Sequence, residues 1–176
     1  MLLTSSTLAS KVSSIESRAF VVLDAGIDDL SLLVSHLSDA DVLVLDPTQD
    51  GIAQITDAIA ARPSISSLHI VSHGMPGQLQ LGNSTLGFSS LSAYADHLMS
   101  WADKLKGKDI LLYGCKVAKG AMGHLFLQQL HQLTGANIAA STTPVGRVEG
   151  HSNWTLDSHI GSVDTPIVFS AILQDS

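Results

Sequence analysis

A three-layer α/β/α domain built on a mostly parallel sheet is the fold class this sequence predicts, and three observations predict it. Short apolar runs rich in β-branched residues alternate several times with stretches of helical periodicity. The runs are apolar at successive positions rather than every second one, as strands buried on both faces are. After the third run the alternation is interrupted by GQLQLGNSTLGF, which reads as a short hairpin laid over the edge of the sheet.

The elements follow in order. AFVVLDA (residues 19–25) is the first strand, and DDLSLLVSHL after it carries Leu30, Leu33, Val34 and Leu37 at the i, i+3, i+4, i+7 spacing of one helix face. DVLVLD (41–46) is the second strand, stopped by Pro47. Asp50 is suited to cap the next helix, whose Ile52, Ile55 and Ile59 share a face and which Pro63 ends. LHIV (68–71) is the third strand and runs directly into Ser72-His73-Gly74. Beyond the hairpin around Asn83-Ser84, Leu91, Tyr94, Leu98, Trp101 and Leu105 mark a helix ended by Gly107. DILLYG is the fourth strand. A helix over 120–134 turns Met122, Leu125, Phe126, Leu130 and Leu133 inward and closes at Gly135, and ANIAAS (136–141) is the fifth strand. The tail, with Gly146, Gly150, Trp154 and Gly161, reads as loops with one or two short edge strands. Residues 19–176 thus form one domain behind a flexible leader, residues 1–18, in which six serines stand.

Composition limits the function classes. With 176 residues, 45% hydrophobic and 14% charged, the chain can bury a substantial single core. A net charge of −7, with nine Lys and Arg that form no stripe, argues against a nucleic-acid partner. No apolar run approaches the roughly 20 residues that span a bilayer. The first 18 residues lack the basic start and continuous apolar block of a signal peptide, so the expected location is the cytoplasm, or outside the cell by means of signals beyond this segment. One cysteine permits no internal disulfide and no thiolate-rich zinc site. His124 and His131 lie two turns apart on a helix, beyond comfortable joint ligation, and His36, His97, His151 and His159 fall into no HxH or HxxxH pattern. No Walker A, G-x-G-x-x-G or G-x-S-x-G string occurs. No metal and no cofactor is expected. Asp46 and Asp50 are explained by turn and capping roles.

In an open parallel sheet, ligands bind beyond the carboxyl ends of the strands. His73 follows the third strand and Cys115, the single thiol, follows the fourth, so both stand on that edge. If the two strands are neighbours, about 4.8 Å apart, an imidazole and a thiol leaving their ends meet as a base and a nucleophile able to attack a carbonyl. Lys116, Lys119 and the helix that begins near Gly120 favour the thiolate. The N–H groups of Gly74 and Cys115 offer an oxyanion hole, and Gly114 lets the chain turn sharply just before the thiol. Taken singly, Cys115 reads as an inert small residue and His73-Gly74 as a turn; it is the pair that points to catalysis.

The order of strand-SHG, hairpin and helix, then strand-YGC resembles the caspase-like fold of cysteine peptidases, which includes caspases, metacaspases, gingipains, separase and the CHAT proteases. More closely, IVSHGMPGQLQLGNSTL, DILLYGCKVAKGAMGHLF, TGANIAAST and GHSNWTLD resemble a bacterial domain of poorly defined function. That domain occurs near the N-terminus of very large secreted adhesin-like and calcium-binding repeat proteins. The likeness covers about residues 20–161. It implies a caspase-like sheet, a Cys115–His73 dyad, and oxyanion donors at Gly74 and Cys115. In members that cut after Lys or Arg, an acid at the end of the first strand often helps to bind the basic side chain, and Asp24 stands there. A second acid found in several of them is replaced here by Tyr113. Asp24 also reads as a cap ahead of Ile27. Ser72 and Ser141 are further candidates for the pocket wall, or for satisfying strand-end backbone groups.

The expected activity is that of a cysteine endopeptidase acting on a polypeptide, its own chain included, with cleavage after basic residues as the implied preference. A second reading is a caspase-like binding or structural module of an adhesin-type protein whose site is chemically silent.

Overall fold

The computed structural model describes residues 17–148 and 151–169. All but the last two residues of the expected leader, and Gly150 of the tail, lie outside them. Six strands form the central sheet in the order β11-β8-β7-β3-β1-β2. They are β1 (Ala19–Leu23), β2 (Asp41–Val44), β3 (Ser67–Val71), β7 (Asp109–Tyr113), β8 (Asn137–Ala140) and β11 (Ser158–Ile160). All pair in parallel except β11, which lies antiparallel against β8. The predicted mixed α/β class with a mostly parallel sheet flanked by helices is the observed one.

The two layers beside the sheet are unequal. On one face, Phe20, Val22, Leu68, Ile70, Ile110, Leu112 and Ile138 pack beneath α2 (Gly51–Ala60), α3 (Ala95–Leu105) and α4 (Gly120–Thr134). The other face carries Val21, Leu23, Val71, Leu111 and Tyr113. It is covered by one short helix, α1 (Leu30–Ser35), together with Trp154, Leu156 and Phe169 from the tail. Tail side chains thus complete a layer that a single six-residue helix cannot close.

Local chemistry explains where the elements start and stop. Asp50 Oδ1 accepts the N–H groups of Ile52 at 2.8 Å and Ala53 at 3.1 Å, while Oδ2 accepts the Tyr94 hydroxyl at 2.7 Å. Such a cap is worth about 1 kcal/mol. Behind it Ile52, Ile55 and Ile59 are buried, each worth about 2 kcal/mol of removed apolar surface. Asp46 accepts both the N–H and the hydroxyl of Thr48, a turn role. Gly135 ends α4 in the left-handed conformation at φ 68°.

Two helix faces differ from the expected ones. On α4 the buried stripe is Gly123, Phe126, Leu127, Leu130 and Thr134, and Met122 and Leu125 are 48% and 41% exposed. The cause is close approach: a methyl on Gly123 would clash with the Ala118 carbonyl group, so only glycine lets this side of the helix pack inward, and the helix is rotated accordingly. On α1 Leu33 is buried but Val34 is exposed, and Leu37, also buried, lies just beyond the helix, because six helical residues make less than two turns. The predicted hairpin is a three-stranded sheet of β4 (Gly74–Met75), β5 (Gln78–Leu81) and β6 (Ser84–Gly87). Its Leu79, Leu81 and Leu86 enter the main core. The tail adds a separate hairpin, β9 (Gly146–Val148) with β10 (His151–Asn153). Among the described residues no helix is long and apolar enough to cross a membrane.

Candidate active site

Register brings the strand ends together. Leu23 pairs with Val71 and Val71 with Tyr113, so β1, β3 and β7 finish side by side, and Asp24, Ser72 and Gly114 begin three loops on one edge. The backbones of the two candidate loops touch. A methyl on Gly74 would lie 3.2 Å from Gly114 Cα, 3.3 Å from Cys115 N and 2.7 Å from Val117 Cγ2. A methyl on Gly114 would lie 2.8 Å from both Leu79 Cδ2 and Val117 Cγ2. These glycines are required by close approach. The sharp turn expected at Gly114 falls instead at Lys116, a non-glycine residue at φ 59° directly after the thiol.

His73 and Cys115 line one cavity of about 410 Å³, and Ser72 and Tyr113 line it with them. Nε2 of the exposed His73 donates to the carbonyl oxygen of Gly26 at 2.9 Å. A carbonyl can only accept, so Nε2 carries the proton, and in the neutral ring Nδ1 is the nitrogen with the lone pair. The half-buried Cys115 thiol is held by one residue: Sγ accepts the Val145 N–H at 3.4 Å and donates to the Val145 carbonyl at 3.6 Å. Sulfur and imidazole are not hydrogen-bonded to each other. Gln80 N donates to His73 O at 3.0 Å, so the next pair of that ladder, Gly74 with Leu79, is the non-bonded kind. The Gly74 N–H is therefore not consumed by the hairpin.

The remaining expected residues take other places. Asp24 is 5% exposed and does not line the cavity. Its Oδ2 accepts the Gly26 N–H at 3.1 Å and its Oδ1 the Gly82 N–H at 2.8 Å. Neither is a helix-capping bond. Ser141 is fully buried and also lies away from the cavity; its hydroxyl pairs with Thr143 Oγ1 at 3.0 Å and accepts the Thr143 N–H at 3.1 Å. The strand-end loop it shapes is tied to the thiol loop by Lys116 N to Thr143 O and Ala118 N to Ser141 O, both 3.0 Å. Ser72 donates to the His73 carbonyl at 3.1 Å. Tyr113 lines the cavity although it is almost fully buried. Its hydroxyl meets His69 Nδ1 at 2.9 Å, and burial pushes its ionisation above the usual tyrosine value, so it remains a neutral hydroxyl.

Several cavity residues carry no site role in the sequence reading. Asp28 and Asp29 stand on the loop after β1, with Asp29 at φ 56° and its side chain making no cap bond to α1. Arg147 and Trp154 come from the tail. The adjacent acids on the loop between β1 and α1 were a readable signal. Val145, Arg147 and Trp154 had none, because only the path of the tail brings them here. Trp154 packs on Phe169 at 4.6 Å between ring centroids and on Tyr113 at 6.0 Å, and its buried Nε1–H has no partner among the described residues. Among the described residues, no three His, Cys, Asp or Glu side chains are grouped to hold a metal ion.

A family model described as a domain of unknown function, DUF4347, matches residues 20–176. No curated protein matches the chain.

Proposed function

The chain belongs to the DUF4347 family, and from the chemistry of its strand-end site we propose that it is a cysteine endopeptidase acting through His73 and Cys115. The observation that carries this reading is the shared cavity. A thiol and an imidazole leave adjacent strand ends into it, and the imidazole keeps its Nδ1 lone pair free because Gly26 holds Nε2. The resemblance of the SHG and YGC segments to caspase-like peptidases supports it further.

In this mechanism the thiol leaves Val145, and Nδ1 of His73 takes its proton. The thiolate attacks the carbonyl carbon of the scissile peptide bond, forming a C–S bond while the oxygen gains the negative charge. The N–H groups of Gly74 and Cys115 stabilise that oxygen, a donor of this kind being worth about 3 kcal/mol of barrier. Collapse breaks the C–N bond, and the departing amine takes the proton from His73. Water, deprotonated by the same imidazole, then hydrolyses the thioester, which returns the thiol and releases a carboxylate product. The substrate is a polypeptide, the protein's own chain included. A preference for Lys or Arg falls to Asp28 and Asp29, the acids in the cavity wall, and not to Asp24.

A thiol-reactive peptide probe tests the proposal. It should label the wild-type protein and label neither Cys115→Ala nor His73→Ala. Labelling of His73→Ala at the wild-type rate would mean that no dyad operates.

One observation favours a second reading, a silent binding or structural module of an adhesin-type protein. The thiol is engaged by both main-chain groups of Val145 rather than by His73. Native protein that resists small alkylating agents would support it.

A further inference from the structure

We propose that Asp24 is a positioning residue for His73, setting the imidazole from both its side-chain and its main-chain side; this rests on the dyad proposed above. The carboxylate is buried and both of its oxygens are used. Oδ2 accepts the Gly26 N–H, and the Asp24 main-chain carbonyl accepts the Ile27 N–H at 3.3 Å. Residues 24–27 are therefore a tight turn closed twice by one residue, once through its side chain and once through its backbone. The turn is anchored to the sheet by Asp24 N, which donates to Val71 O at 2.9 Å. The peptide group between Gly26 and Ile27 is the part that matters. Its N–H points at Asp24, so its carbonyl points the opposite way, at His73 Nε2, 2.9 Å off. Packing agrees: a methyl on Gly26 would lie 3.1 Å from Asp24 Oδ2 and 3.9 Å from His73 Cδ2.

The second oxygen works from the other side. Oδ1 holds the N–H of Gly82, the left-handed residue (φ 62°) that turns β5 into β6. That hairpin in turn fixes the main chain of His73, because Gln80 N donates to His73 O. One carboxylate thus ties together the acceptor that sets the imidazole tautomer and the hairpin that sets the backbone carrying it. Loss of the carboxylate removes the bond to the Gly26 N–H and leaves the Gly26–Ile27 peptide held only by the long 3.3 Å bond to the Asp24 main-chain carbonyl. That loosens the Gly26 acceptor and lets the ring expose either nitrogen to the thiol.

Alkylation of Cys115 by iodoacetamide separates this role from that of a pocket acid. The reagent is small and neutral, so an acid that only binds substrate side chains does not affect it. Rates are compared across pH for wild type, His73→Ala, Asp24→Ala and Asp24→Asn, with thermal melts to establish that each variant is folded. Asp24→Ala should react about tenfold more slowly than wild type, approaching His73→Ala, since a correctly placed base is worth about 10²-fold or more. Asp24→Asn keeps one acceptor oxygen and should fall between them, and it carries the test if Asp24→Ala does not fold. Wild-type alkylation in both Asp24 variants, alongside a slow His73→Ala, overturns the positioning role and leaves the dyad standing. A His73→Ala rate equal to wild type overturns the dyad and this role with it.

Discussion

The Nδ1 atom of His69 lies 2.9 Å from the hydroxyl of Tyr113, and the two rings stack with centroids 5.8 Å apart inside the sheet face that supports the cavity. On its other side, Nε2 of His69 meets the Ser67 hydroxyl at 2.9 Å. Burial lowers this imidazole from 6.5 to about 4, with the Asp109 charge opposing the shift. In the fold it is neutral at neutral pH. Below pH 6.5 the unfolded chain takes up a proton that the folded chain refuses until about pH 4, so acidification favours unfolding across that window. The gap corresponds to about 3 kcal/mol. Thermal melts should show stability falling from pH 6.5 to pH 4, with a distinctly shallower fall in His69→Gln. Equal slopes for the two proteins would contradict the assignment. The carboxyls of Asp157, held down by its Thr142 hydrogen bonds, and of Asp109 lie below 3.8 and add their losses only under that range.

Gly74→Ala should damage stability and site together. Its methyl would press on Val117 Cγ2 and on the Gly114 backbone, neither free to retreat because both are buried. Overpacking of this kind costs about 1–3 kcal/mol. Urea unfolding should register that loss, and Cys115 labelling should slow because the Cys115 N–H moves with the strained loop.

Asp109→Ala should release the tail from the sheet. Asp109 Oδ2 accepts the N–H of Asp164, the N–H of Thr165 and the hydroxyl of Thr165, and Oδ1 accepts Asn137 Nδ2. Burial raises this carboxyl, but those bonds outweigh it and hold it below the ordinary range. Removing it should cost about 2 kcal/mol. Limited proteolysis should then cut within residues 161–169 faster than in wild type, and Trp154 fluorescence should shift as Phe169 loosens.

Paired substitution of Asp28→Asn and Asp29→Asn should lower kcat/KM for peptides with Lys or Arg before the scissile bond by about fivefold, the size expected of solvent-exposed charge pairs. Iodoacetamide alkylation of Cys115 should stay at the wild-type rate. A peptide-library profile unchanged by the double substitution would remove these acids from substrate recognition.

The strands were readable because each is a short apolar run with a definite stop, and reading them placed His73 and Cys115 on one edge. Pairing of Val71 with Tyr113 is the three-dimensional form of that expectation. Periodicity served α2 well, since Ile52, Ile55 and Ile59 all face inward. It misjudged α4 because apolar residues lie on more than one side of that helix. There Gly123, which contributes no hydrophobicity, decides the rotation by fitting against Ala118. Asp24 was noticed for its position, but its actual bonds reach Gly82, 58 residues away, and no local pattern encodes that. The same holds for Val145 and Trp154, whose roles depend on how irregular chain is routed across the sheet.

The chain enters β1 at Ala19, beside Ser67, at the rim of the sheet remote from Cys115. A strand of five residues puts about 16 Å between that rim and the cavity edge. Phe169, by contrast, already rests against the indole of Trp154 in the cavity wall. An affinity tag or fluorescent reporter fused ahead of Ser17 therefore leaves the thiol's approach route clear. The same cargo joined directly to Phe169 would start beside a residue of the cavity wall, so assays of Cys115 reactivity should use the amino-terminal fusion.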